Sequence, residues 1–159
     1  MTAPDPASLI HATSVARRTP QGWRGVLLTG ASGAGKSDLA LRLVGRGWRL
    51  VSDDYSRVWR SGGALYAAPP ETLPTDLAGC LEARGLGIIP AGVPRPLAPI
   101  SLIAACGQAT VERLPEPEVE TLCGVVLTRL RLDIRPASAV NTLERALARI
   151  ATNTPPGMV

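Results

Sequence analysis

The sequence predicts an α/β domain with a mixed sheet, a β-hairpin insertion and a C-terminal helix. An apolar run, Gly25 to Thr29, is followed by glycines and then by apolar residues at helical spacing from Lys36 to Arg46. A second predicted strand over 48–53 completes a strand-helix-strand unit, whose crossover should be right-handed. Two strand-like segments flank Ser61-Gly62-Gly63, as in a β-hairpin. Apolar residues over 140–150 recur at the spacing of an amphipathic helix.

Three later segments are also predicted to be strands, over 87–89, 100–105 and 125–133. In the last of them leucines alternate with Arg129 and Arg131, so one face of that strand should be buried and the other exposed. The hairpin and these strands add antiparallel pairs to the strand-helix-strand unit.

The composition is that of one globular domain. The chain has 159 residues, of which 45% are hydrophobic and 19% are charged, which is too apolar for a disordered protein. No apolar stretch approaches the roughly 18 residues that a membrane span requires. We expect a single domain over 9–150. Residues 1–8 and 151–159 are rich in proline, threonine and alanine, and we expect them to be flexible tails.

The N-terminus and the cysteines indicate the compartment. No basic segment is followed by an apolar run near Met1, so we expect no secretory signal and a cytoplasmic protein. The three cysteines are Cys80, Cys106 and Cys123. Their odd number and wide spacing argue against a disulfide framework or a zinc site.

The basic residues are almost all arginine. Sixteen of the seventeen are Arg, and Lys36 is the single lysine, in a chain of net charge +4. The arginines are scattered along the chain, and only three tryptophans and two tyrosines are available to stack on bases, so we expect no nucleic-acid partner. The net charge suits an acidic partner or a polyanionic ligand.

One segment matches a phosphate-binding loop at every fixed position. Gly30-Ala31-Ser32-Gly33-Ala34-Gly35-Lys36-Ser37 fits G-x-x-x-x-G-K-[ST] and lies between a predicted strand and a predicted helix. In such a loop, backbone N–H groups and the positive end of the helix converge on an anion. Lys36 would bridge the outer phosphates, and the Ser37 hydroxyl would ligate Mg²⁺.

Acidic residues follow the second strand of the unit. Asp53 and Asp54 are neighbours in an extended chain, so their carboxylates should point to opposite sides and do different work. One could face a metal ion, and the other could act as a base toward an acceptor hydroxyl. If 82–84 is also extended, Glu82 and Arg84 share a face and bring a metal-binding carboxylate beside a phosphate-binding guanidinium.

These segments together resemble the catalytic domain of HPr kinase/phosphorylase, over roughly residues 9 to 150. Many enzymes share the phosphate loop, so the resemblance depends mainly on the acid pair and the glutamate-arginine-glycine segment. The segments that carry it are Ile10-His11-Ala12-Thr13-Ser14-Val15-Ala16, Gly25 to Gly30 with the phosphate loop, Leu50-Val51-Ser52-Asp53-Asp54, and Leu81-Glu82-Ala83-Arg84-Gly85-Leu86-Gly87-Ile88-Ile89.

The resemblance implies a P-loop kinase fold related to phosphoenolpyruvate carboxykinase. It implies an enzyme that uses ATP and Mg²⁺ to phosphorylate a serine of the phosphocarrier protein HPr. On the donor side it implies that Lys36 binds phosphate and that Ser37, Asp53 and Glu82 approach the metal.

On the acceptor side the resemblance implies that Asp54 is the base toward the seryl hydroxyl, with His11 beside it at the γ-phosphate. It also implies phosphate-binding arginines at Arg84 and Arg113.

Two departures from the family modify these expectations. The sequence has no room before His11 for the family's separate N-terminal domain, and the segment after Ile89 is short and proline-rich. The chain is therefore similar to the short alphaproteobacterial form of the family. We expect kinase activity without the phosphorylase activity or the usual hexamer, and other homo-oligomers stay open.

Two further interpretations stay open. A small-metabolite P-loop kinase would share the phosphate loop and an acid after the second strand, although prolines such as Pro69 and Pro94 leave little room for its helical lid. A non-catalytic ATP-binding module would keep Lys36 and Ser37 but would not need Asp54. A GTPase is disfavoured, because its guanine-binding motif needs a second lysine.

Overall fold

The computed structural model describes residues 6–152. Within that range the chain forms eleven strands, two α-helices and a short 3₁₀ helix, Thr75–Leu77. The strands are β1 (Ser8–Ile10), β2 (Thr13–Thr19), β3 (Gly22–Thr29), β4 (Arg49–Ser52), β5 (Ser56–Ser61), β6 (Ala64–Ala68), β7 (Cys80–Ala83), β8 (Gly87–Pro90), β9 (Ala98–Gly107), β10 (Glu118–Leu122) and β11 (Val125–Asp133). The helices are α1 (Lys36–Val44) and α2 (Ala139–Thr152). None of the helices in 6–152 is long and apolar enough to cross a bilayer.

Nine strands form one mixed sheet. Its order is β1-β5-β6-β9-β3-β2-β4, and the β10–β11 hairpin joins it through a parallel pairing of β11 with β9. The strands β3, β9 and β11 run parallel, so their carboxyl ends lie at one edge of the sheet. We call this the carboxyl edge. Strand β2 runs antiparallel to β3, so its start lies at this edge. Strand β4 runs antiparallel to β2, so its end lies there too.

The sheet curls because short connections join its two ends. Strands β1 and β5 lie at one end of the strand order, and β2 and β4 lie at the other end. The chain runs directly from β1 to β2 and from β4 to β5, so these connections draw the two ends toward each other. Two buried serines hold this closure: the hydroxyls of Ser14 and Ser56 lie 2.8 Å apart, and Ser56 donates to the carbonyl of Ala12 at 2.9 Å. The curl gives the sheet a concave face and a convex face.

Each face of the sheet buries its own hydrophobic cluster. On the convex face the two helices pack against the central strands, and Leu28, Leu43, Leu102 and Leu143 are fully buried there. On the concave face a second cluster includes Ile103 of β9 and residues of β3, β5 and β6. Burial on both sides explains why the central strands read as continuous apolar runs rather than as alternating patterns.

Helix α2 is tied to the convex face by one acidic side chain. Glu144 accepts a hydrogen bond of 2.7 Å from Arg17 of β2 and also pairs with Arg46, which follows α1. The Arg17 guanidinium lies 5.6 Å from the centre of the Trp48 ring. These contacts join the last helix to the first half of the chain.

The expected α/β fold is confirmed, and its topology refines the prediction. The hairpin over β5 and β6 forms, as do the strands over 87–90, 98–107 and 125–133 and the closing helix. The strand-helix-strand unit differs in one respect: β2 lies between β3 and β4 and pairs with both. The sequence did not predict β2 as a strand, because Thr13 to Ala16 is buried on both faces and shows no alternation.

Strand β1 begins at Ser8 and α2 ends at Thr152, so both elements extend slightly into the predicted tails. Residues 1–5 and 153–159, which make up the rest of those tails, lie outside the described residues.

Replacing Leu143 by alanine should lower the free energy of unfolding by about 2–5 kcal/mol, because the change leaves a cavity between α2 and the sheet. Leu143 is fully buried in the convex-face cluster. Urea denaturation followed by circular dichroism would measure the change. The matched control is Arg145→Ala on the exposed side of the same helix, which should stay within about 0.5 kcal/mol of the wild type. Equal destabilisation by the two changes would contradict the packing described for α2.

Candidate active site

The phosphate loop lies at the carboxyl edge, where two of its glycines have a positive φ and lie close to neighbouring strands. Gly30 has φ 141°, and a Cβ there would lie 2.5 Å from the carbonyl oxygen of Cys106 in β9. Gly35 has φ 100°, and a Cβ there would lie 2.4 Å from Cδ1 of Ile134, which follows β11. The contact at Gly30 is with backbone that cannot move aside, so no side chain fits there. At Gly35 the end of the Ile134 side chain could shift, and it is the positive φ that favours glycine. The loop is therefore held against the ends of β9 and β11.

Lys36 begins helix α1 and is nearly buried, with 6% of its surface exposed. Its ammonium donates hydrogen bonds to the carbonyls of Gly30 and Ala31, at 2.7 and 3.0 Å. These bonds hold the single positive charge of the loop at its mouth. The amino-terminal end of α1 points to the same place and adds its partial positive charge. The loop can hold a polyanion.

Asp53 joins the phosphate loop to strand β2. Its Oδ1 atom accepts hydrogen bonds from the Ser37 hydroxyl at 2.8 Å and from the Thr13 hydroxyl at 2.9 Å. Thr13 is fully buried at the start of β2. No local sequence pattern marks Thr13, because a buried threonine has no signature of its own and its partner lies 40 positions away.

Asp54 turns away from the loop and toward His11. Its φ of 68° is left-handed, a conformation that a non-glycine residue rarely adopts, and its N–H donates to the Thr13 hydroxyl at 3.2 Å. Its Oδ1 atom lies 3.1 Å from Nε2 of His11, and 69% of the Asp54 side chain is exposed. The two neighbouring carboxylates therefore face different groups: Asp53 faces Ser37, and Asp54 faces His11 and the solvent.

His11 packs against an aromatic ring, Tyr55, that was not among the predicted site residues. The ring centres of His11 and Tyr55 are 5.1 Å apart, and Tyr55 is 46% exposed. Tyr55 directly follows the acid pair, so its position in the sequence was a signal that could have been used. The ring fixes one face of the imidazole while Asp54 fixes Nε2.

Glu82 reaches the acid pair from the separate β7–β8 sheet. It lines a cleft of about 330 Å³ together with Ser37, Asp53 and Asp54. Arg84 lies in the exposed turn after β7, so the extended conformation assumed for 82–84 does not form and the shared face with Glu82 does not arise. Arg113 is exposed in the loop between β9 and β10 and does not line this cleft.

The oxygen donors in this cleft fit a magnesium ion. Ser37 supplies a hydroxyl, Asp53 and Glu82 supply carboxylates, and Mg²⁺ prefers few protein oxygens supplemented by phosphates and water. Within residues 6–152, histidine, cysteine and carboxylate side chains form no cluster of three or more that could hold a metal unaided. The donor set therefore fits a metal that arrives with a phosphate ligand.

A second cleft opens on the other side of the phosphate loop. It has a volume of about 570 Å³ and lies between the ends of β9 and β11 and the loop over 108–117. Arg129 and Arg131 of β11 form its wall, and both donate hydrogen bonds of 2.7 Å to Glu118 of β10. These two guanidinium groups lower the pKa of the Glu118 carboxyl below its usual range.

Cys106 lies directly behind the phosphate loop at the end of β9. It is 7% exposed, and burial raises the pKa of its thiol to about 12, although the charges of Lys36 and Arg42 act in the opposite direction. A neutral thiol is the form that this apolar setting favours. The residue therefore acts as a small apolar side chain under the loop.

Comparisons with known proteins are consistent with this geometry. Residues 22–92 match the family described as the HPr Serine kinase C-terminal domain. The HPr kinase/phosphorylase of Clostridium botulinum (strain Eklund 17B / Type B) is 46% identical over 65 residues, which are 41% of this chain and 20% of the relative. The HPr kinase/phosphorylase of Clostridium perfringens (strain SM101 / Type A) is 34% identical over 138 residues, which are 78% of this chain and 43% of the relative. The chain thus spans less than half the length of these curated relatives.

A solved structure agrees in fold. The Hpr(Ser) kinase/phosphatase from Coxiella burnetii superimposes with a TM-score of 0.69 at 23% identity, covering 91% of this chain and 90% of that chain. It confirms the mixed α/β fold. The family match and the Clostridium perfringens relative confirm the resemblance drawn from the sequence.

The three cysteines should differ in reactivity. At pH 8 a thiol reagent should label the half-exposed Cys80 and Cys123 but leave Cys106 unmodified, because burial and its raised pKa keep that thiol protonated. Mass spectrometry of the labelled protein would count the modified sites. Labelling in denaturant should add Cys106, and Cys106→Ala should remove that third site.

The raised pKa of Cys106 also predicts a pH dependence. Since the folded-state pKa of about 12 exceeds the ordinary 9.0, the neutral thiol contributes stability that is fully present below pH 9 and lost as the pH rises toward 12. The free energy of unfolding of the wild type and of Cys106→Ala, measured between pH 7 and 11, would show this contribution as a larger loss in the wild type. A wild type that loses no more stability than the variant over this range would contradict it.

Proposed function

Because residues 22–92 match the HPr Serine kinase C-terminal domain, we propose that the chain transfers the γ-phosphoryl group of ATP to a serine of an HPr-type phosphocarrier protein. The observation that supports this most is the division of the acid pair. Asp53 hydrogen-bonds to the phosphate-loop serine, and Asp54 lies beside His11 at the open side of the same cleft. Two neighbouring carboxylates can therefore act on the two substrates, Asp53 on the phosphate donor and Asp54 on the acceptor hydroxyl.

On the donor side, the loop from Gly30 to Ser37 binds the phosphate chain. Lys36 presents its ammonium to the outer phosphates, where negative charge builds up during transfer. Ser37, Asp53 and Glu82 would hold Mg²⁺ through oxygen atoms. When bound, that ion neutralises phosphate charge and orients the γ-phosphoryl group.

On the acceptor side, Asp54 takes the proton of the seryl hydroxyl. The seryl oxygen forms a bond to the γ-phosphorus while the bond from that phosphorus to the bridging oxygen breaks, and ADP leaves with the bonding electron pair. Nε2 of His11 lies 3.1 Å from Oδ1 of Asp54, and this contact leaves Oδ2 of the carboxylate for the seryl proton. Asp54 is largely exposed, which suits a base that must meet a protein substrate rather than a small enclosed one.

Several expectations complete the proposal. Arg84, in the exposed β7–β8 turn, and Arg113, in the β9–β10 loop, would reach phosphate oxygens once a substrate is bound. Residues 9–150 would form the single catalytic domain, acting in the cytoplasm and without phosphorylase activity. A homo-oligomer other than the family hexamer is compatible with it.

Asp54→Asn should lower kcat for phosphorylation of an HPr-type carrier by about a hundredfold or more, because the amide cannot accept the seryl proton. Radiolabelled ATP, Mg²⁺ and the purified carrier would be incubated with each enzyme, and label on the carrier would be counted. The control is Glu71→Gln, an equally conservative change at an exposed carboxylate outside the site, which should leave the rate unchanged. Label appearing on a small metabolite instead of the carrier would overturn the protein-kinase assignment.

Thr13→Val should lower kcat about tenfold with little change in KM for ATP, because valine keeps the volume but loses the bonds to Asp53 and to the Asp54 N–H. Thr13 is a positioning residue in this proposal. Steady-state kinetics with varied ATP would separate the two constants, and Thr13→Ser should restore most of the rate because it keeps the hydroxyl. A serine variant as slow as the valine variant would contradict the role of the hydroxyl.

A further inference from the structure

We propose that Tyr55 is a positioning residue for phosphoryl transfer, which holds the His11 imidazole in the orientation in which Nε2 meets Asp54. This inference rests on the proposed function and adds to it a residue that supplies no reacting group. Tyr55 does not line the cleft of about 330 Å³ that contains the carboxylates. It acts on the acceptor side through its contact with His11.

The His11 imidazole is held by two contacts of different kinds. His11 lies in the connection between β1 and β2, and 34% of its side chain is exposed. Among residues 6–152, Asp54 is the one hydrogen-bond partner of the imidazole. A single hydrogen bond leaves the ring able to turn, since the second side-chain torsion of histidine is soft. The Tyr55 ring, whose centre lies 5.1 Å from that of the imidazole with 34° between the ring planes, restricts this rotation.

Hydrogen bonds of the main chain hold Tyr55 itself in place. Its N–H donates to the carbonyl of Asp53 at 2.8 Å. Its carbonyl accepts a hydrogen bond of 2.6 Å from the Ser52 hydroxyl. The residue is therefore fixed to the same turn that carries the acid pair.

The residues that follow the two rings are tied to each other. Ser56, which follows Tyr55, is fully buried and donates its hydroxyl to the carbonyl of Ala12 at 2.9 Å. Ala12 in turn follows His11. The two rings are thus held side by side by the fold, before any substrate binds.

The core of the protein does not use the Tyr55 ring. The residue is 46% exposed and belongs to none of the hydrophobic clusters of the described chain. Removing the ring therefore opens no cavity and should change the free energy of unfolding little. Its one aromatic contact within 6–152 is with His11, which points to a role in the site.

The orientation of the imidazole determines which oxygen of Asp54 stays available. While Nε2 lies against Oδ1, Oδ2 is left for the seryl proton. When the imidazole turns away, the carboxylate can rotate as well, because 69% of the Asp54 side chain is exposed. A misdirected base lowers kcat, whereas the phosphate loop and its affinity for ATP are unaffected.

Kinetics with radiolabelled ATP and an HPr-type carrier test this role. We expect Tyr55→Ala to lower kcat about tenfold with KM for ATP within about twofold of the wild type, and Tyr55→Phe to retain most of the rate because it keeps the ring. The matched control is Tyr66→Ala, since Tyr66 also stacks on one aromatic ring, that of Trp59, but lies in β6 outside the site. An alanine variant at position 55 as fast as the wild type would overturn the inference, and so would a phenylalanine variant as slow as the alanine variant.

A double variant shows whether Tyr55 acts through His11. Tyr55→Ala should slow the wild type about tenfold but should cause no further loss in a chain that already carries His11→Ala. Equal losses in the two backgrounds would contradict an action through the imidazole.

A spectroscopic measurement reads the contact without any turnover. His11 is the only histidine of the chain, so NMR of the protein without a histidine tag identifies its imidazole signals directly. Tyr55→Ala should shift these signals, because the ring current of Tyr55 acts on imidazole protons at this distance, and Tyr66→Ala should leave them in place. Signals that do not move in Tyr55→Ala would overturn the inference. Failure of the proposed function has a different signature, namely a wild type that labels no carrier while the NMR shift persists.

Discussion

The hydrogen bonds of Asp53 connect the three chain segments on which the site depends. One of its oxygens binds the Ser37 hydroxyl of α1 and the Thr13 hydroxyl of β2. Thr13 in turn accepts the N–H of Asp54, which fixes that residue in a left-handed conformation. The direction of the Asp54 carboxylate toward His11 follows from this turn. A buried threonine and a carboxylate thus set the positions of the phosphate loop, the metal donors and the base relative to one another.

The curl of the sheet makes these bonds possible. Short connections run from β1 to β2 and from β4 to β5, and the buried contact of Ser14 with Ser56 joins β2 to β5. His11 lies in one connection, and the acid pair lies in the other. Their proximity is therefore a result of the curl. On the opposite side of the loop, the packing of Gly30 against Cys106 leaves no room for a side chain and keeps the phosphate loop on the end of β9.

The phosphate loop divides the carboxyl edge into two regions with different chemistry. On the β2–β4 side, carboxylates and hydroxyls line a cleft of about 330 Å³, and the His11 imidazole lies beside one of these carboxylates, Asp54. This chemistry suits metal binding and proton transfer. On the β9–β11 side, a cleft of about 570 Å³ combines apolar surface with guanidinium and carboxylate groups held by ion pairs.

Local patterns in the sequence determined the phosphate loop, because its glycines and its lysine must occur at fixed spacing within one short segment. The hairpin and both helices were also predictable, since turn residues and helical periodicity are local. The two strands that close the sheet were not predicted. Strand β2 is buried on both faces and lacks alternation, and β1 is too short to show a pattern.

The tertiary structure alone decided that Thr13 bonds to Asp53, that Tyr55 packs on His11, and that Arg84 lies in a turn apart from the face of Glu82. The physical reason is separation along the chain: these contacts join residues 40 or more positions apart or depend on where a strand ends. A single sequence contains the side chains that such contacts require, but the curl of the sheet determines which of them meet.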